Sequence, residues 1–447
     1  MNLPALIFVS VACVILWRLP RCWAALPFLA AATYIPFGCT IDVGPAHFTA
    51  IRIMVTVGFL RVMMKGEHLT GGWNVLDVLI VGWALCLSGS SFFHKEFASA
   101  LVFRLGMICD CLGTYFLFRI FIRSADDVLR VCKIIILLLI PIAIEMAAEK
   151  KTSRNIIMIL FGGNVPDCEV RDGKVRAEGP FLHSILAGTT GGVCLPLALL
   201  LWNKQRKLAL AGVAAAAAMV LTSRSSGPVM TLLTGLAGVA LWKFKDRMRL
   251  VRWSAVIGVA TLALVMNAPI YALIGRINLT GSSTGYFREA LIASAIAHLN
   301  EWWFAGTDYT RHWMWSGVGW SPDHTDITNY YLKMGVLGGL PLMILFIGIL
   351  IAGFTSVGKA LRLNDTAPVE RQFLIWTLGA ILFAHCITFL SVSYFDQTFV
   401  YLYLLLASIG SLQSAPVAQS GVAEKGYDEE DTRGPSCGYE ADICYHC

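Results

Sequence analysis

Apolar and polar positions alternate along the chain as long apolar runs separated by short polar segments. A transmembrane helix needs about 20 apolar residues to cross roughly 30 Å of hydrocarbon, and lipid forces its backbone polar groups to pair internally. The pattern predicts an all-α polytopic membrane protein with about 13 (12–14) transmembrane helices and two large extracytoplasmic loops. The predicted spans are residues 3–19, 22–38, 47–64, 74–92, 98–118, 128–148, 183–202, 207–222, 227–243, 253–273, 328–354, 372–391 and 395–413.

Composition and charge agree with this class. The 447 residues are 57% hydrophobic and 14% charged, whereas soluble domains carry about 25% charged residues. The net charge of +6 comes largely from Lys and Arg in short loops. Cytoplasmic loops of membrane proteins have this bias, so the charge does not indicate nucleic-acid binding. The composition excludes a soluble globular protein.

Basic residues fall on alternate loops. "NKQRK" follows the seventh span and "KFKDRMRLVR" the ninth, whereas "GCTIDVGPA", "GSSFFHKEFASA" and "SVSYFDQT" hold one Lys between them. Because basic loops stay in the cytoplasm, the N-terminus is predicted outside and the C-terminus inside. Residues 1–413 then form one membrane domain whose large loops, 149–182 and 274–327, lie outside. Lys150, Lys151 and Arg154 run against the charge rule, which long loops obey less strictly.

Residues 414–447 form a polar tail that is predicted to be disordered and cytoplasmic. Its end, "CGYEADICYHC", groups Cys437, Cys444, His446 and Cys447. A zinc site is one interpretation, but the spacing fits no familiar zinc motif, and solvated thiols in a reducing compartment are preferred. No disulfide framework is visible. The N-terminal apolar run lacks a positive start and a cleavage site, so it is interpreted as a retained span rather than a signal peptide.

Two arginines lie at the predicted outer ends of spans. Arg176 precedes the seventh span, and Arg224 lies in the Ser- and Gly-rich turn between the eighth and ninth. An arginine at the membrane boundary is costly unless it is paired or functional, and its planar guanidinium suits phosphate. The alternative is that each arginine snorkels to the interface or pairs with a carboxylate such as Glu178.

The stretch "DHTDITNYY", residues 323–331, lies on the same predicted side. Histidine is the side chain that titrates near neutral pH, so His324 suits general-base catalysis, and Asp326 could orient it. Asn329 and Tyr331 could bind hydroxyl groups. The alternative is an interfacial loop in which Asp326 or Thr328 caps the next helix.

The large loop before this stretch is rich in tryptophan and contains one amphipathic helix. Aromatic side chains there could stack on sugar rings, but they are also ordinary residents of a membrane interface. The helix begins at Ser282 or Ser283 and carries Arg288. Its predicted apolar face consists of Tyr286, Leu291, Ile292, Ile296 and Leu299.

The order of these features resembles the O-antigen ligase and O-antigen/exopolysaccharide polymerase family over roughly residues 50–410. Arg176, Gly179 and Phe181 match an R-x-x-G-x-F element, and "SRSSG" matches a serine–arginine turn. Arg288 opens the large-loop helix, and His324 is followed by "NYYL" and "GVLGG". The chain departs from many members at Thr328, where they have a second His before the Asn. The "HTDITNYY" form is closer to the exopolysaccharide polymerases than to the ligases.

The resemblance implies an enzyme that performs inverting glycosyl transfer at the outer face of the bacterial inner membrane. The donor would be a glycan on undecaprenyl diphosphate, and the reaction would join repeat units into exopolysaccharide or O-antigen. It implies the following roles: Arg176, Arg224 and Arg288 hold the diphosphate, His324 with Asp326 is the base, and Asn329, Tyr331 and Glu178 bind acceptor or sugar. No metal and no cofactor are expected.

Expected partners are the polyprenyl-diphosphate-linked oligosaccharide, membrane lipids and other polysaccharide export proteins, without nucleic acid. Three alternatives stay open: an O-antigen-type ligase that moves glycan to another acceptor, a non-enzymatic glycolipid transporter or flippase, and a non-catalytic scaffold in a polysaccharide-export complex. A transporter needs a polar path through the membrane. Within the predicted spans the sequence offers Arg52, Arg104 and Asp110, which mark such a path or a set of structural pairs.

Overall fold

A computed structural model describes residues 1–163, 168–171, 173–276, 285–319 and 321–414. Of the residues that the structure describes, 73% are helical and few lie in strands, which confirms the predicted helical class. The tail from residue 415, Ser282, Ser283 and Trp320 lie outside the described residues. The helices are α1 Leu3–Arg18, α2 Ala25–Tyr34, α3 Ala50–Lys65, α4 Val75–Ser90, α5 Phe97–Ile108, α6 Thr114–Phe121, α7 Ala125–Thr152, α8 Ile156–Phe161, α9 Ser184–Leu200, α10 Arg206–Ser223, α11 Ser226–Ala240, α12 Met248–Val265, α13 Ala272–Arg276, α14 Gly285–Ala297, α15 Leu299–Trp302, α16 Tyr330–Leu363, α17 Val369–Thr388 and α18 Thr398–Ser414.

Two short hairpins and five short helical segments complete the secondary structure of the described residues. Strands β1 (Thr40–Val43) and β2 (Ala46–Thr49) pair antiparallel, as do β3 (Val170–Arg171) and β4 (Lys174–Val175). A π-helical turn at Cys109–Gly113 joins α5 to α6. The 3-10 segments are Arg21–Trp23, Ser91–Phe93, Leu241–Arg247 and Arg311–Trp313.

Seven helical segments among the described residues are long and apolar enough to cross a membrane. They are Val75–Phe93, Phe97–Phe121, Ala125–Thr152, Arg206–Ser223, Ser226–Val265, Tyr330–Leu363 and Val369–Thr388. Three shorter apolar helices are α1, α9 and α18. The described part of the chain therefore has the membrane character that its apolar runs predict.

The main core lies where α9 packs against α10, α11 and α7, and where α16 and α17 pack against α4 and α11. Helix α12 differs from these helices because none of its residues is buried. Its side chains are largely apolar, so lipid is the surrounding that such a helix requires.

The three charged side chains that the sequence places inside spans contact neighbouring segments of the protein. Arg52 donates to both carboxylate oxygens of Asp110, at 3.0 and 2.8 Å. Arg104 donates to the Leu337 carbonyl at 2.9 Å and contacts His94. These three predicted polar positions are thus structural contacts between neighbouring helices, one of the two possibilities raised by the sequence.

Helix α16 is broken at Gly338 and Gly339, where the large loop docks against it. Gly339 has a φ of +76°, which favours glycine. The Leu340 N–H donates to the Trp303 carbonyl at 2.7 Å, and the Thr307 N–H donates to the Val336 carbonyl at 2.9 Å. The loop therefore supplies backbone partners that the interrupted helix no longer provides.

Many of the connecting segments fall into two groups by their mutual contacts. One group contains residues 1–2, 39–49, 91–96, 153–163, 168–171, 173–183, 222–226, 303–319, 321–329 and 389–397. The other contains residues 19–23, 66–74, 119–127 and 410–412. All predicted site residues lie in or beside the first group.

Candidate functional site

The segment 176–183 lies against the turn between α10 and α11. The Nε of Arg176 donates to the Ser223 carbonyl at 3.2 Å. Its other two nitrogens bond the Ser225 hydroxyl and form an ion pair with Glu169. Arg176 is therefore buried with all three nitrogens engaged by the protein, and its carboxylate partner is Glu169.

Arg224 occupies the turn itself. Its φ of 48° and ψ of 42° lie in the left-handed region, which non-glycine residues rarely adopt. The side chain is half-buried, and no residue that the structure describes hydrogen-bonds or pairs with its guanidinium. The flanking serines hold Arg176, so Arg224 is the arginine of this turn whose donors stay available to a ligand.

Glu178 lies in a loop that α7 holds in place. The Glu149 carboxylate accepts the Glu178 and Gly179 N–H groups at 2.9 to 3.1 Å, and Asn155 donates to the Gly179 carbonyl at 2.6 Å. Burial raises the pKa of the Glu178 carboxyl to about 8, and the negative charges of Glu149 and Glu169 add to the shift. Glu178 is therefore a buried acid that holds its proton at neutral pH.

The segment between α17 and α18 closes the other side of this loop. The Asp396 carboxylate accepts the Leu182 N–H at 3.1 Å, and Gln397 donates to the Pro180 carbonyl at 2.7 Å. Burial raises the pKa of Asp396 to about 6. The Glu178 loop is thus fixed between the end of α7 and the start of α18.

Helix α14 places Arg288 inside the protein. Arg288, Leu291 and Ala295 are buried, whereas Tyr286 and Ile296 are exposed. The side of α14 that is buried in the protein therefore coincides with the predicted apolar face only at Leu291. Apolar residues occur on most sides of α14, so their periodicity did not identify the side that is buried. The buried side is the i, i+3, i+7 stripe that contains Arg288.

The Arg288 guanidinium lacks acceptors within the described part of the chain. The residue is 7% exposed, and its Nε is buried without a hydrogen-bond partner. Burial lowers the pKa of this guanidinium, and the negative charge of Asp326 opposes the shift. A buried guanidinium with unused donors is costly unless an anion supplies acceptors.

A line of charged side chains joins the two parts of the site. Asp326 is exposed. Burial of its carboxyl by the surrounding protein raises its pKa, and the positive charges of Lys333 and Arg288 oppose that shift. The positive charge of Lys333 lowers the pKa of Asp396, and the negative charge of Asp396 raises the pKa of Glu178. The charged groups from α14 to the Glu178 loop therefore influence one another's protonation.

The His324 segment is anchored to the large loop. His324 Nδ1 lies 2.7 Å from the Ser321 hydroxyl. The Thr310 and Arg311 N–H groups donate to the Asp323 carbonyl at 2.9 and 3.0 Å. The Asp326 charge acts on Arg288 and Lys333, and its role in orienting His324 stays a prediction.

Asn329 caps α16. Its Oδ1 accepts the Leu332 N–H at 3.1 Å, and its Nδ2 donates to the Leu390 carbonyl at 3.2 Å. The alternative that Asp326 or Thr328 caps this helix is wrong, because Asn329 is the residue whose extended backbone precedes the first turn.

Tyr331 donates its hydroxyl to the Cys386 carbonyl at 2.9 Å. Its role in sugar binding, like that of Asn329, stays a prediction, since both polar tips already have protein partners. Sequence reasoning gave no role to Lys333, Asp396 or Glu169. The sequence did contain a signal for Lys333, because this lysine lies inside a predicted span, where a charged side chain is energetically costly.

Comparison of the chain with protein-family models and with curated proteins gives no match.

Proposed function

We propose that this protein polymerises lipid-linked oligosaccharides by inverting glycosyl transfer from a polyprenyl diphosphate. The buried Arg288 carries the proposal, because its unused donors require an anion. Arg224 offers a second guanidinium without a partner among the described residues. A diphosphate ester matches two planar guanidinium groups in charge and in acceptor geometry.

The proposed reaction needs a base and a stabilised leaving group. His324 takes the proton of the acceptor hydroxyl while that oxygen attacks the anomeric carbon. The bond from this carbon to the diphosphate oxygen breaks, and the polyprenyl diphosphate leaves as an anion beside Arg224 and Arg288. Electrostatic stabilisation of developing negative charge is usually the largest catalytic contribution. Asp326, whose negative charge acts on Arg288 and Lys333, orients His324 in this scheme.

Arg176 has a different role in this scheme from the two free arginines. Its bonds to Ser223 and Ser225 hold the turn that presents Arg224. Glu178, protonated at neutral pH, donates a hydrogen bond to the sugar or to a diphosphate oxygen. The resemblance to O-antigen and exopolysaccharide polymerases instead assigns Arg176 to the diphosphate directly. The variant Arg176→Lys separates the structural role from the binding role, because lysine keeps the positive charge but loses the planar set of donors of the guanidinium.

The proposed topology has thirteen passes, with the site on the extracytoplasmic face of the bacterial inner membrane. That number results if the three shorter apolar helices, α2 and α3 also cross, and if α11 and α12 cross separately. The first contact group of connecting segments then lies outside. The polar site residues gather at this one end, which favours an enzyme over a flippase.

The lipid profile of a deletion strain tests the proposed function. Loss of this protein should leave single repeat units on polyprenyl diphosphate, and long chains on the same lipid would identify a ligase instead. Complementation with Arg224→Ala should leave the same single units. Complementation with Arg154→Ala, which removes an exposed arginine beside α7, should restore polymer.

A further inference from the structure

A cluster of two imidazoles and one carboxylate lies in the large loop, on residues that have no part in the proposed glycosyl transfer. His298 Nδ1 is 2.7 Å from a Glu301 oxygen, and His312 Nε2 is 3.0 Å from the other. One ligand atom from each of the three residues lies within 4.8 Å of the others. His298 is half-buried, whereas Glu301 and His312 are exposed.

Aromatic neighbours orient the three side chains. Tyr309 stacks on His312 with an interplanar angle of 10°, and Trp313 stacks on His298 with an angle of 9°. The Trp313 indole N–H donates to Glu301 at 3.1 Å. Hydrogen bonds and ring packing of this kind are what orients the ligands of protein metal sites.

We propose that His298, Glu301 and His312 bind one divalent transition-metal ion, with Zn²⁺ as the best match. Two imidazole nitrogens and one carboxylate oxygen are a common zinc ligand set, and three protein ligands leave a fourth position for water. Zinc–ligand bonds of about 2.1 Å place ligand atoms roughly 3.4 Å apart, which the side chains reach by small rotations from their present positions.

The metal would join two parts of the large loop. His298 and Glu301 lie at α15, whereas His312 belongs to the 3-10 turn Arg311–Trp313. The N–H of Arg311 donates to the Asp323 carbonyl, next to His324. Metal binding therefore fixes the turn that supports the His324 segment. This inference concerns ligand binding alone and does not depend on the proposed glycosyl transfer.

Zinc stoichiometry of the purified full-length protein tests the site. The protein is prepared without a polyhistidine tag, and Cys437, Cys444 and Cys447 are replaced by Ser to remove the tail ligands. After exposure to Zn²⁺ and dialysis, elemental analysis should find about one Zn²⁺ per chain. His312→Ala and Glu301→Gln should each reduce this value at least fivefold.

His47→Ala provides the matched control, because His47 is an exposed histidine with a single carboxylate partner, Asp42. This variant should keep the full zinc content. Cobalt substitution gives a second readout, since a four-coordinate site produces visible absorption that Glu301→Gln should abolish in protein that elutes as the wild type does. Absence of zinc from the parent protein, or equal zinc in the parent and both ligand variants, would overturn the proposal.

Discussion

Arg288 is held in a place where water cannot solvate its guanidinium fully. A buried cation without acceptors costs several kcal/mol, so its removal need not destabilise the protein. A ligand anion reverses this balance, because it gains charged hydrogen bonds in a region of low dielectric constant. Replacing Arg288 therefore distinguishes an effect on ligand binding from an effect on folding better than replacing any other predicted site residue.

The first prediction follows from this balance. Arg288→Met, which keeps most of the side-chain volume, should leave the melting temperature unchanged or higher. Polymer formation should fall about 100-fold, the usual effect of removing one donor to a developing anion. Thermal melts and polymer yield, measured beside Arg154→Ala, check both effects. A large drop in melting temperature would instead assign Arg288 a structural role.

His324 and Asn329 lie five positions apart but should respond differently. Asn329→Ala removes the α16 cap and should cost about 1 kcal/mol of stability, and Asn329→Ser should recover much of it. His324→Ala should lose polymer at unchanged stability if His324 is the base. Membrane abundance and polymer yield of the three variants distinguish these effects. A fully active His324→Ala protein would end the base assignment.

Glu178 makes stability depend on pH. Its pKa in the folded protein is about 8, above the ordinary value of 4.5, so the folded state keeps a proton that the unfolded chain releases. The stabilisation is complete below pH 4.5 and is lost as the pH rises toward 8. In Glu178→Gln the free energy of unfolding should fall less steeply with pH, by at most about 1.4 kcal/mol per pH unit. The melting temperatures of the wild type and of Glu178→Gln are measured across this pH range. If both fall with pH at the same slope, Glu178 is not a buried protonated acid.

At the scale of elements, apolar runs predicted where most helices lie because burial in lipid leaves a strong one-dimensional signal. The sequence did not predict which side of α14 is buried or which residue caps α16. Both depend on neighbours that are distant in the chain, such as Asp326 for Arg288 and Leu390 for Asn329. The pairing of Arg176 with Glu169 was missed for the same reason.

The break in α16 gives the clearest test at this scale. A Cβ at Gly339 would lie 2.3 Å from the Phe304 carbonyl oxygen, whereas a Cβ at Gly348 in the same helix meets nothing within 4 Å. Gly339→Ala should therefore displace the large loop and cost roughly 1–3 kcal/mol. Limited proteolysis near residues 303–307 should become faster in this variant and stay unchanged in Gly348→Ala. Equal proteolysis of both variants would show that the loop is not docked through this break.

For the whole molecule, the proposed topology places the first contact group outside the cell membrane. Thr152 lies in α7 next to that group, and Thr366 lies between α16 and α17; both are exposed. An impermeant thiol reagent applied to intact spheroplasts should label Thr152→Cys above the wild-type background and leave Thr366→Cys unlabelled until the membrane is opened. The reverse pattern would invert the topology and move the site to the cytoplasm.

Turnover by the purified protein tests the proposed function most directly. Full-length protein in detergent is incubated with a single oligosaccharide repeat unit on polyprenyl diphosphate, and the products are separated by chain length. Wild type and Arg154→Ala should yield multi-unit glycans and free polyprenyl diphosphate, while Arg288→Met should leave the donor almost intact. Intact donor with folded wild-type protein, or equal conversion by Arg288→Met, would contradict a polymerase whose diphosphate site is built on this arginine.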